Sequence, residues 1–375
     1  MLQRNILLSF ILSFAFIIPS NAQSLVERID LKNSDIDEFI ESEMKKRKIP
    51  GLTLGICEGD SLIRVASFGY ADLQNLGPTQ NNTTFELASI TKQFTASAIV
   101  LLQQDGSLEL EDPISAFIED CPKAWKDITI KHLLTHTSGL PAINEGQSGA
   151  LSMTPQAFIS MISSKIISKD FYYGLIKTDT LDFPPGEAYS YSDTGYFLLG
   201  YIIDNISGSY RQFIQKRIFD PAGMSASYIV DQVSVHELEA RGYTLRNGEL
   251  VNIRRIFDAE IPSHYGIFSN IPDLQKWDAV LNSNILFTDQ SKALLWNDNK
   301  LNKGKSTGYG MGWEVKKMKK KLIISHTGVT GTEMIKLVDD GVTFIVLTNL
   351  GDGAFDSVNS WGLAGRLAKL LGYRS

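Results

Sequence analysis

Strand-like runs lie near both ends of this chain, and the long stretch between them is mostly helical in pattern. Residues 51–57 and 61–70 are rich in apolar and β-branched side chains and flank a short turn. Further strand-like runs follow late in the chain, at 309–315, 322–326, 333–338 and 342–349. From about residue 114 to residue 230, apolar residues recur mainly at helical spacing. This order predicts an α/β body that both ends of the chain build together, interrupted by a mainly helical middle.

Helical patterns also flank the strand-like runs. Residues 35–47 form an amphipathic pattern ahead of the first strand, and Ala354–Leu371 predicts a closing helix. A further helix is predicted to begin near Ser89, where apolar residues continue for three turns. We therefore expect helices to cover the predicted sheet.

The charge of the chain argues against a nucleic-acid partner. The formal net charge is −6, whereas such a partner requires a clustered basic face. The exception is the lysine-rich run at 316–321. Because this run separates two strand-like segments, we interpret it as a solvated hairpin turn, with a binding patch as the alternative.

The first 22 residues have the pattern of an export signal. Arg4 precedes an apolar run from Ile6 to Ile18, and small residues follow at 20–22. The apolar run is short for a membrane span, and no other long uncharged apolar stretch follows it. We therefore expect a mature domain of residues 23–375 that is periplasmic or secreted and has no stable membrane span.

The two cysteines leave two possibilities open. After export, Cys57 and Cys121 would share an oxidising compartment, which permits a disulfide. Two buried free thiols are the alternative, because free cysteine is among the most buried residue types.

Ser89 and Lys92 form an S-x-x-K pattern at the start of an apolar helical run. Positions i and i+3 share one face of a helix, so the amine can reach the hydroxyl. A neutral lysine can take the proton of the serine, and burial beside another cation would favour the neutral form. The alternative is an ordinary amphipathic helix with a surface lysine, because an isolated S-x-x-K is a weak pattern.

Two later segments are candidate partners for this pair. Tyr191 lies in Y-S-Y-S-D-T-G-Y just ahead of a helical run, where a phenol can shuttle a proton. Asp193 in the same segment is also a candidate cap for that helix. His326 lies in S-H-T-G at the end of a strand-like run, where backbone N–H groups can meet an oxyanion.

These three fragments, in this chain order, resemble the serine β-lactamase and penicillin-binding-protein superfamily, and most of all class C β-lactamases with their related esterases and D-peptidases. The resemblance runs from about residue 35 to the C-terminus. Further segments match the habits of that group, at 133–141, 183–193, 265–274 and 309–313. The resemblance implies an α+β fold in which helices flank an antiparallel sheet, with a mainly helical inserted subdomain at about 114–230.

The resemblance also implies roles for single residues. Ser89 would be the acylated nucleophile, Lys92 its activating partner and Tyr191 the general base and acid. A strand carrying His326, Thr327 and Gly328 would line the substrate. The oxyanion hole would be formed by the backbone N–H groups of Ser89 and Val329.

Two positions depart from the pattern of that superfamily. Asp193 replaces an amide with a carboxylate that, when ionised, only accepts hydrogen bonds. His326 stands where β-lactamases usually have lysine, and an unperturbed imidazole titrates near pH 6.5, so we expect its charge to vary across the usual assay range. Asp193 would raise the pKa of His326 if the two were close. Both departures predict a site less suited to anionic substrates such as penicillins.

Other kinds of site are less well supported. His132 and His136 have a metal-ligand spacing, but no glutamate lies between them as in H-E-x-x-H, so we interpret the segment as a structural helix and turn. The G-x-S-x-G elbow of α/β-hydrolases and a glycine-rich phosphate loop are both missing from the sequence. We predict no metal and no cofactor.

The sequence thus predicts an exported serine hydrolase that forms an acyl-enzyme on Ser89 and releases it to water. The expected substrate is a small-molecule ester, an amide or a D-amino-acid peptide. A D-alanyl-D-alanine carboxypeptidase or a true class C β-lactamase is the alternative among enzymes. A penicillin-binding or peptidoglycan-sensing module with little turnover is the alternative of another class.

Overall fold

The computed structural model describes residues 24–141, 167–231, 236, 238–252, 259–351 and 362–373. The predicted export signal, residues 1–22, lies outside the described residues. The α-helices are α1 Leu25–Leu31, α2 Asn33–Arg47, α3 Thr91–Gln104, α4 Ile130–Leu134, α5 Lys169–Ile176, α6 Asp193–Ser207, α7 Tyr210–Ile214, α8 Asp220–Ala222, α9 Ile271–Asn282, α10 Asp289–Leu295 and α11 Leu363–Leu370. A π-helical turn and short 3₁₀ turns supplement them, at Gln215–Phe219, Ala88–Ile90, Ile114–Ala116, Lys123–Trp125 and Val338–Asp340.

The strands form a large antiparallel sheet and two small ones. The strands are β1 Gly51–Glu58, β2 Ser61–Asp72, β3 Gly77–Pro78, β4 Phe85–Glu86, β5 Tyr228–Ile229, β6 Tyr243–Arg246, β7 Glu249–Asn252, β8 Ile267–Ser269, β9 Glu314–Met318, β10 Lys321–Gly328, β11 Thr332–Leu337 and β12 Val342–Thr348. The large sheet has seven strands in the order β3-β2-β1-β12-β11-β10-β9. Strand β1 pairs with β12, with Leu54 opposite Val346, so both ends of the chain build the sheet.

The predicted fold class is therefore confirmed. Every neighbouring pair in the large sheet is antiparallel, and helices pack on the sheet as expected for an α+β fold. The predicted helix at 35–47 lies within α2, and the predicted strands at 51–57 and 61–70 match β1 and β2. The lysine-rich run is a hairpin turn, because Lys319 and Lys320 both adopt positive φ between β9 and β10.

Alternation along β12 explains why the sheet is covered on both faces. Phe344 and Val346 pack in one apolar cluster with α2 and α11, while Ile345 and Leu347 pack in the other cluster with α3 and α9. Successive side chains of a strand point to opposite faces. Because both faces are buried, the strand is a continuous apolar run rather than an alternating one.

The helical middle of the chain packs against the helix that begins beside Ser89. Helix α6 contacts both α3 and α4. Gly200 of α6 lies so close to its neighbour that a Cβ there would be 2.3 Å from the Ser263 hydroxyl. The proposed insert, 114–230, stays a prediction as a subdomain, and 142–166 lie outside the described residues.

Two predicted elements differ from the structure. The strand predicted at 309–315 begins only at Glu314, because 309–313 forms a tight loop against α3. Gly312 has φ +78° there, and a Cβ would lie 2.7 Å from the Lys92 carbonyl. The closing helix is described only over Leu363–Leu370, since 352–361 lie outside the described residues.

The cysteines are free thiols rather than a disulfide. Cys57 is buried on β1 and Cys121 is partly buried. Burial raises the pKa of the Cys57 thiol to about 12, which leaves it protonated and unreactive at neutral pH. Among the helices of the described ranges, none is both long and apolar enough to span a bilayer.

Candidate active site

Ser89 lies on the 3₁₀ turn directly before α3. Ala88 of this turn has φ +46°, a conformation that a residue with a Cβ adopts at a cost of roughly 1–3 kcal/mol. Neighbouring strands hold the turn in place: the Leu87 N–H donates to the Ile267 carbonyl at 2.9 Å, and the Thr332 hydroxyl donates to the Leu87 carbonyl at 2.9 Å. Backbone strain that the surroundings enforce beside a partly buried hydroxyl is typical of functional sites.

Lys92 is fully buried and directs its ammonium at three oxygens. Its Nζ is 3.0 Å from Ser89 Oγ, 3.0 Å from the His264 carbonyl and 2.6 Å from Asp193 Oδ1. A carboxylate at this distance favours the charged form of the lysine. Of the two conditions that would favour a neutral lysine, burial is met but a neighbouring cation is not, because the charged neighbour at 2.6 Å is an anion.

Asp193 is the first residue of α6 and does not cap it. The cap is Ser192, whose hydroxyl accepts the Gly195 N–H at 3.2 Å, so the predicted capping role of Asp193 is wrong. The Asp193 carboxylate forms an ion pair with Lys92 instead. Although burial opposes ionisation, the charges of Lys92 and His264 and the hydrogen bond from Lys92 lower the pKa of Asp193 to about 2. Lys92 and Asp193 therefore form a buried pair with no net charge at neutral pH.

Tyr191 lies beside both members of the S-x-x-K pair. The Lys92 ammonium is 4.9 Å from the centroid of the Tyr191 ring, and an interaction with the Ser89 side chain lowers the pKa of the phenol. Desolvation and the Asp193 carboxylate raise the pKa of Tyr191 well above its usual value. The group beside Ser89 at neutral pH is therefore a phenol, and 38% of the residue remains exposed to a substrate.

His326 is buried behind the site rather than presented to solvent. Its Nδ1 is 2.8 Å from the Thr327 carbonyl, and its Nε2 is 2.9 Å from the Tyr309 hydroxyl. Because a carbonyl only accepts, we assign the proton to Nδ1, and the Tyr309 hydroxyl donates to Nε2. Burial and the Lys92 charge lower the pKa of His326 to about 3. The expectation that this histidine titrates in the assay range is wrong.

The end of β10 lies against the turn that carries Ser89. A Cβ on Gly328 would be 2.3 Å from the Leu87 carbonyl and 3.1 Å from Ala88 Cβ, so only glycine allows this approach. Thr327 precedes Gly328 on β10 and is partly buried, and Val329 follows it with 68% of its surface exposed. Gly328 therefore lies against the Ser89 turn, with Thr327 before it and Val329 after it, and the oxyanion hole from the N–H groups of Ser89 and Val329 stays a prediction.

Several site residues were missed by the sequence argument. His264 supplies a carbonyl to Lys92, and its only signal was its position just before Y-G-I-F. Tyr309 holds His326 in one tautomer, although the sequence argument used it only as part of a motif. His136 was interpreted as part of a structural helix and turn, with a metal ligand as the alternative, yet its ring lies 4.3 Å from the Tyr191 ring.

The two histidines with metal-ligand spacing have separate partners. His132 Nδ1 accepts the Thr129 N–H at 3.1 Å and so helps to cap its own helix. His136 Nδ1 accepts the Ser192 N–H at 3.0 Å. Within the described ranges there is no group of three or more histidine, cysteine or acidic side chains that could hold a metal ion.

A family model described as Beta-lactamase matches residues 36–368, which is most of the chain. The chain belongs to the Beta-lactamase family. Penicillin-binding protein 4* of Bacillus subtilis (strain 168) is 31% identical to this Beta-lactamase family member over 338 residues, which cover 85% of this chain and 72% of the relative.

Solved structures agree with this family assignment. An octameric penicillin-binding protein homologue from Pyrococcus abyssi has a TM-score of 0.76 and 27% identity, covering 90% of this chain and 77% of its own. A D-amino acid amidase from Ochrobactrum anthropi SV3 has a TM-score of 0.72 and 24% identity, covering 90% of this chain and 98% of its own, and at that identity it shows the fold alone. This Beta-lactamase family member is a serine hydrolase.

Proposed function

We propose that this serine hydrolase forms an acyl-enzyme on Ser89 and hydrolyses a neutral ester or amide. The observation that carries the proposal is the arrangement around the Ser89 hydroxyl, which lies 3.0 Å from the Lys92 ammonium and beside the Tyr191 phenol. The Lys92 ammonium stabilises developing negative charge on Ser89 Oγ, and the Tyr191 phenol exchanges a proton with that oxygen.

The protonation states define a route for the proton. Lys92 is paired with Asp193, so Tyr191 is the group that accepts the proton of Ser89. In acylation, Ser89 Oγ bonds to the substrate carbonyl carbon, its proton moves to the Tyr191 oxygen and the phenol proton moves to the leaving group in one concerted relay, as the bond between the leaving group and the carbonyl carbon breaks. In deacylation, a water attacks the acyl carbon and gives a proton to Tyr191 while the phenol proton moves to Ser89 Oγ in the same relay, as the bond between Ser89 Oγ and the acyl carbon breaks.

The charge balance of the site supports neutral substrates. Asp193 compensates Lys92, and His326 is uncharged at neutral pH because burial and Lys92 lower its pKa. Of these three groups, none presents an uncompensated cation to a substrate carboxylate. The names of structural neighbours are consistent with such substrates, since they include a D-amino acid amidase and EstCE1, a hydrolase with promiscuous acyltransferase activity.

A side-by-side assay tests this proposal. The purified protein is given p-nitrophenyl acetate, D-phenylalanine amide and nitrocefin at pH 7.5, with Ser89→Ala as the matched control. We expect steady product release from the neutral ester and an acyl adduct on Ser89 by intact mass after quenching. An adduct of equal yield on Ser89→Ala would contradict the proposal.

A penicillin-binding module with little turnover is the second candidate. The observation in its favour is the name of the relative that is 31% identical over 85% of this chain. Such a module would give a stoichiometric burst with penicillin and no steady release from any substrate of the panel.

Export is also a proposal, and it rests on the pattern of residues 1–22. The test is expression of the full chain in a bacterial host, followed by fractionation and N-terminal sequencing. We expect the mature chain to begin near Gln23 in the periplasm or medium. A cytoplasmic protein with an intact N-terminus would contradict export.

A further inference from the structure

His136 accepts hydrogen bonds from the backbone amides on both sides of Tyr191. It lies in the turn after α4, with only 1% of its surface exposed and with φ +57°. Its carbonyl accepts the Ser190 N–H at 2.9 Å, and its ring Nδ1 accepts the Ser192 N–H at 3.0 Å. One residue thus satisfies the amides immediately before and after the phenol.

The imidazole also packs on the ring that it brackets. The ring centroids of His136 and Tyr191 are 4.3 Å apart with planes tilted by 36°. On another side, the Tyr309 ring lies 4.6 Å away. These contacts restrict both the backbone and the ring of Tyr191, so little freedom is left for the phenol to leave Ser89.

The hydrogen bond from the Ser192 N–H to Nδ1 requires one neutral tautomer of the His136 ring. Since Nδ1 accepts a backbone N–H, the ring proton is on Nε2, which is buried and has no hydrogen-bond partner among the residues that the structure describes. Protonation of Nδ1 would place a second donor opposite the Ser192 N–H and break this hydrogen bond.

The charges around His136 favour the neutral ring. Burial and the Lys92 charge lower the pKa of His136 well below its usual value, whereas Asp193 opposes this shift. His326 lowers the pKa of His136 further. The remaining titratable groups against the ring are phenols, at Tyr189, Tyr191, Tyr196 and Tyr309.

We propose that His136 is a positioning residue that holds the Tyr191 phenol against Ser89 through the amides of Ser190 and Ser192. The inference rests on the proposed proton route through Tyr191. It assigns a role in acyl transfer to a residue that the sequence placed only in a structural helix and turn or, less well supported, at a metal site.

The first test compares two substitutions at this position. His136→Asn keeps an acceptor where Nδ1 lies, and asparagine tolerates positive φ. His136→Phe keeps a ring but removes the acceptor. For p-nitrophenyl acetate we expect His136→Phe to lower kcat by about 10- to 100-fold, the scale of a misplaced catalytic group, with KM little changed. His136→Asn should recover most of kcat, and the control His132→Asn should match the wild type. Equal losses in both His136 variants would overturn the proposal.

The second test asks whether His136 acts through Tyr191. In the Tyr191→Phe background, His136→Phe should lower kcat by less than about twofold, because the group that it positions is already absent. A full additional loss would overturn the positioning role while leaving the acyl-enzyme on Ser89 intact. Failure of the proposed function is distinguishable, since it would appear as activity that survives Ser89→Ala.

The third test needs no variant and so does not depend on folding of the mutants. Protein labelled with ¹⁵N-histidine is measured by NMR between pH 5 and pH 8. We expect the His136 resonances of a neutral ring with the proton on Nε2 throughout. A proton on Nδ1, or titration within this range, would overturn the proposal.

Discussion

The Lys92 ammonium lies 2.6 Å from the Asp193 carboxylate, and the lysine is fully buried while the aspartate side chain is 33% exposed. The pair connects the start of α3 with the start of α6, two helices far apart in the sequence. Because the carboxylate neutralises the ammonium, the charge of the lysine does not extend to an incoming substrate. The predictions on Asp193 and on substrate charge follow from this pairing.

Replacing Asp193 with asparagine should change the dependence of stability on pH. Lys92 lowers the pKa of Asp193 to about 2, below its value in the unfolded chain. The stabilisation is therefore fully present above about pH 4 and is lost as pH falls through about 2. Near pH 6 we expect wild type to exceed Asp193→Asn by about 1–2 kcal/mol in the free energy of unfolding, allowing for solvent screening of a partly exposed group. Urea unfolding at several pH values measures the gap, which should narrow below pH 4. A constant gap would contradict the ion-pair argument.

Replacing Tyr191 with phenylalanine should remove the proton shuttle. We expect a loss of about 10²- to 10⁴-fold in kcat, the usual range for a positioned acid or base. The measurement is steady-state hydrolysis of p-nitrophenyl acetate, with thermal unfolding to show that the fold is retained. A loss below tenfold would move the role to Lys92 or to a group on the substrate.

The preference between neutral and anionic substrates should not follow a titration of His326. Burial and Lys92 hold the pKa of that histidine at about 3, so it stays neutral from pH 5.5 to pH 8. We expect the ratio of kcat/KM for p-nitrophenyl acetate to that for nitrocefin to show no step near pH 6.5. Such a step, lost in His326→Gln, would show that the histidine titrates after all.

A change of charge at both departing positions should shift the substrate preference. Asp193→Asn combined with His326→Lys leaves two uncompensated cations in the site, Lys92 and the introduced amine. We expect kcat/KM for nitrocefin to rise relative to kcat/KM for p-nitrophenyl acetate by the equivalent of about 1–3 kcal/mol, a typical coupling between a charge and a ligand. The matched control is His326→Lys alone, in which Asp193 still offsets Lys92 and only the introduced amine is uncompensated. An unchanged ratio in the double variant would show that other parts of the pocket set the preference.

Replacing Gly328 with alanine should separate β10 from the Ser89 turn. Its Cβ would lie 2.3 Å from the Leu87 carbonyl, a backbone atom that cannot move aside without shifting the turn. We expect slower acylation by a fluorophosphonate probe and a lower melting temperature. Gly174→Ala is a matched surface control, because its φ is not positive and no described atom outside its own helix backbone lies within 4 Å of its Cβ position. Acylation as fast as wild type would show that the close approach is not needed.

Much of the fold follows from local pattern. The strand-like runs at 322–326, 333–338 and 342–349 match β10, β11 and β12 within two residues, because buried strands are recognisable as short apolar runs. The run at 309–315 was wrong because Gly312 and its neighbours bend into a loop against α3. A pattern of hydrophobicity does not reveal which glycine faces a neighbouring backbone.

The sequence predicted which residues meet in the candidate site but not which of them are charged. Ser89 and Lys92 were predicted to meet because helical spacing brings i and i+3 together, and they do so at 3.0 Å. The roles of Asp193 and His326 were misjudged, because protonation depends on burial and on neighbours that are remote in sequence.

The sequence by itself determined the order of helices and strands, the hairpin at the lysine-rich run, and the set of fragments that carries the candidate nucleophile. These properties depend on residues that are close along the chain. Only the tertiary structure decided that Asp193 pairs with Lys92, that Tyr309 holds His326 in one tautomer, and that His136 brackets Tyr191. Each of these relationships joins segments far apart in the chain, and its energy depends on the dielectric and hydrogen-bonding surroundings that folding creates.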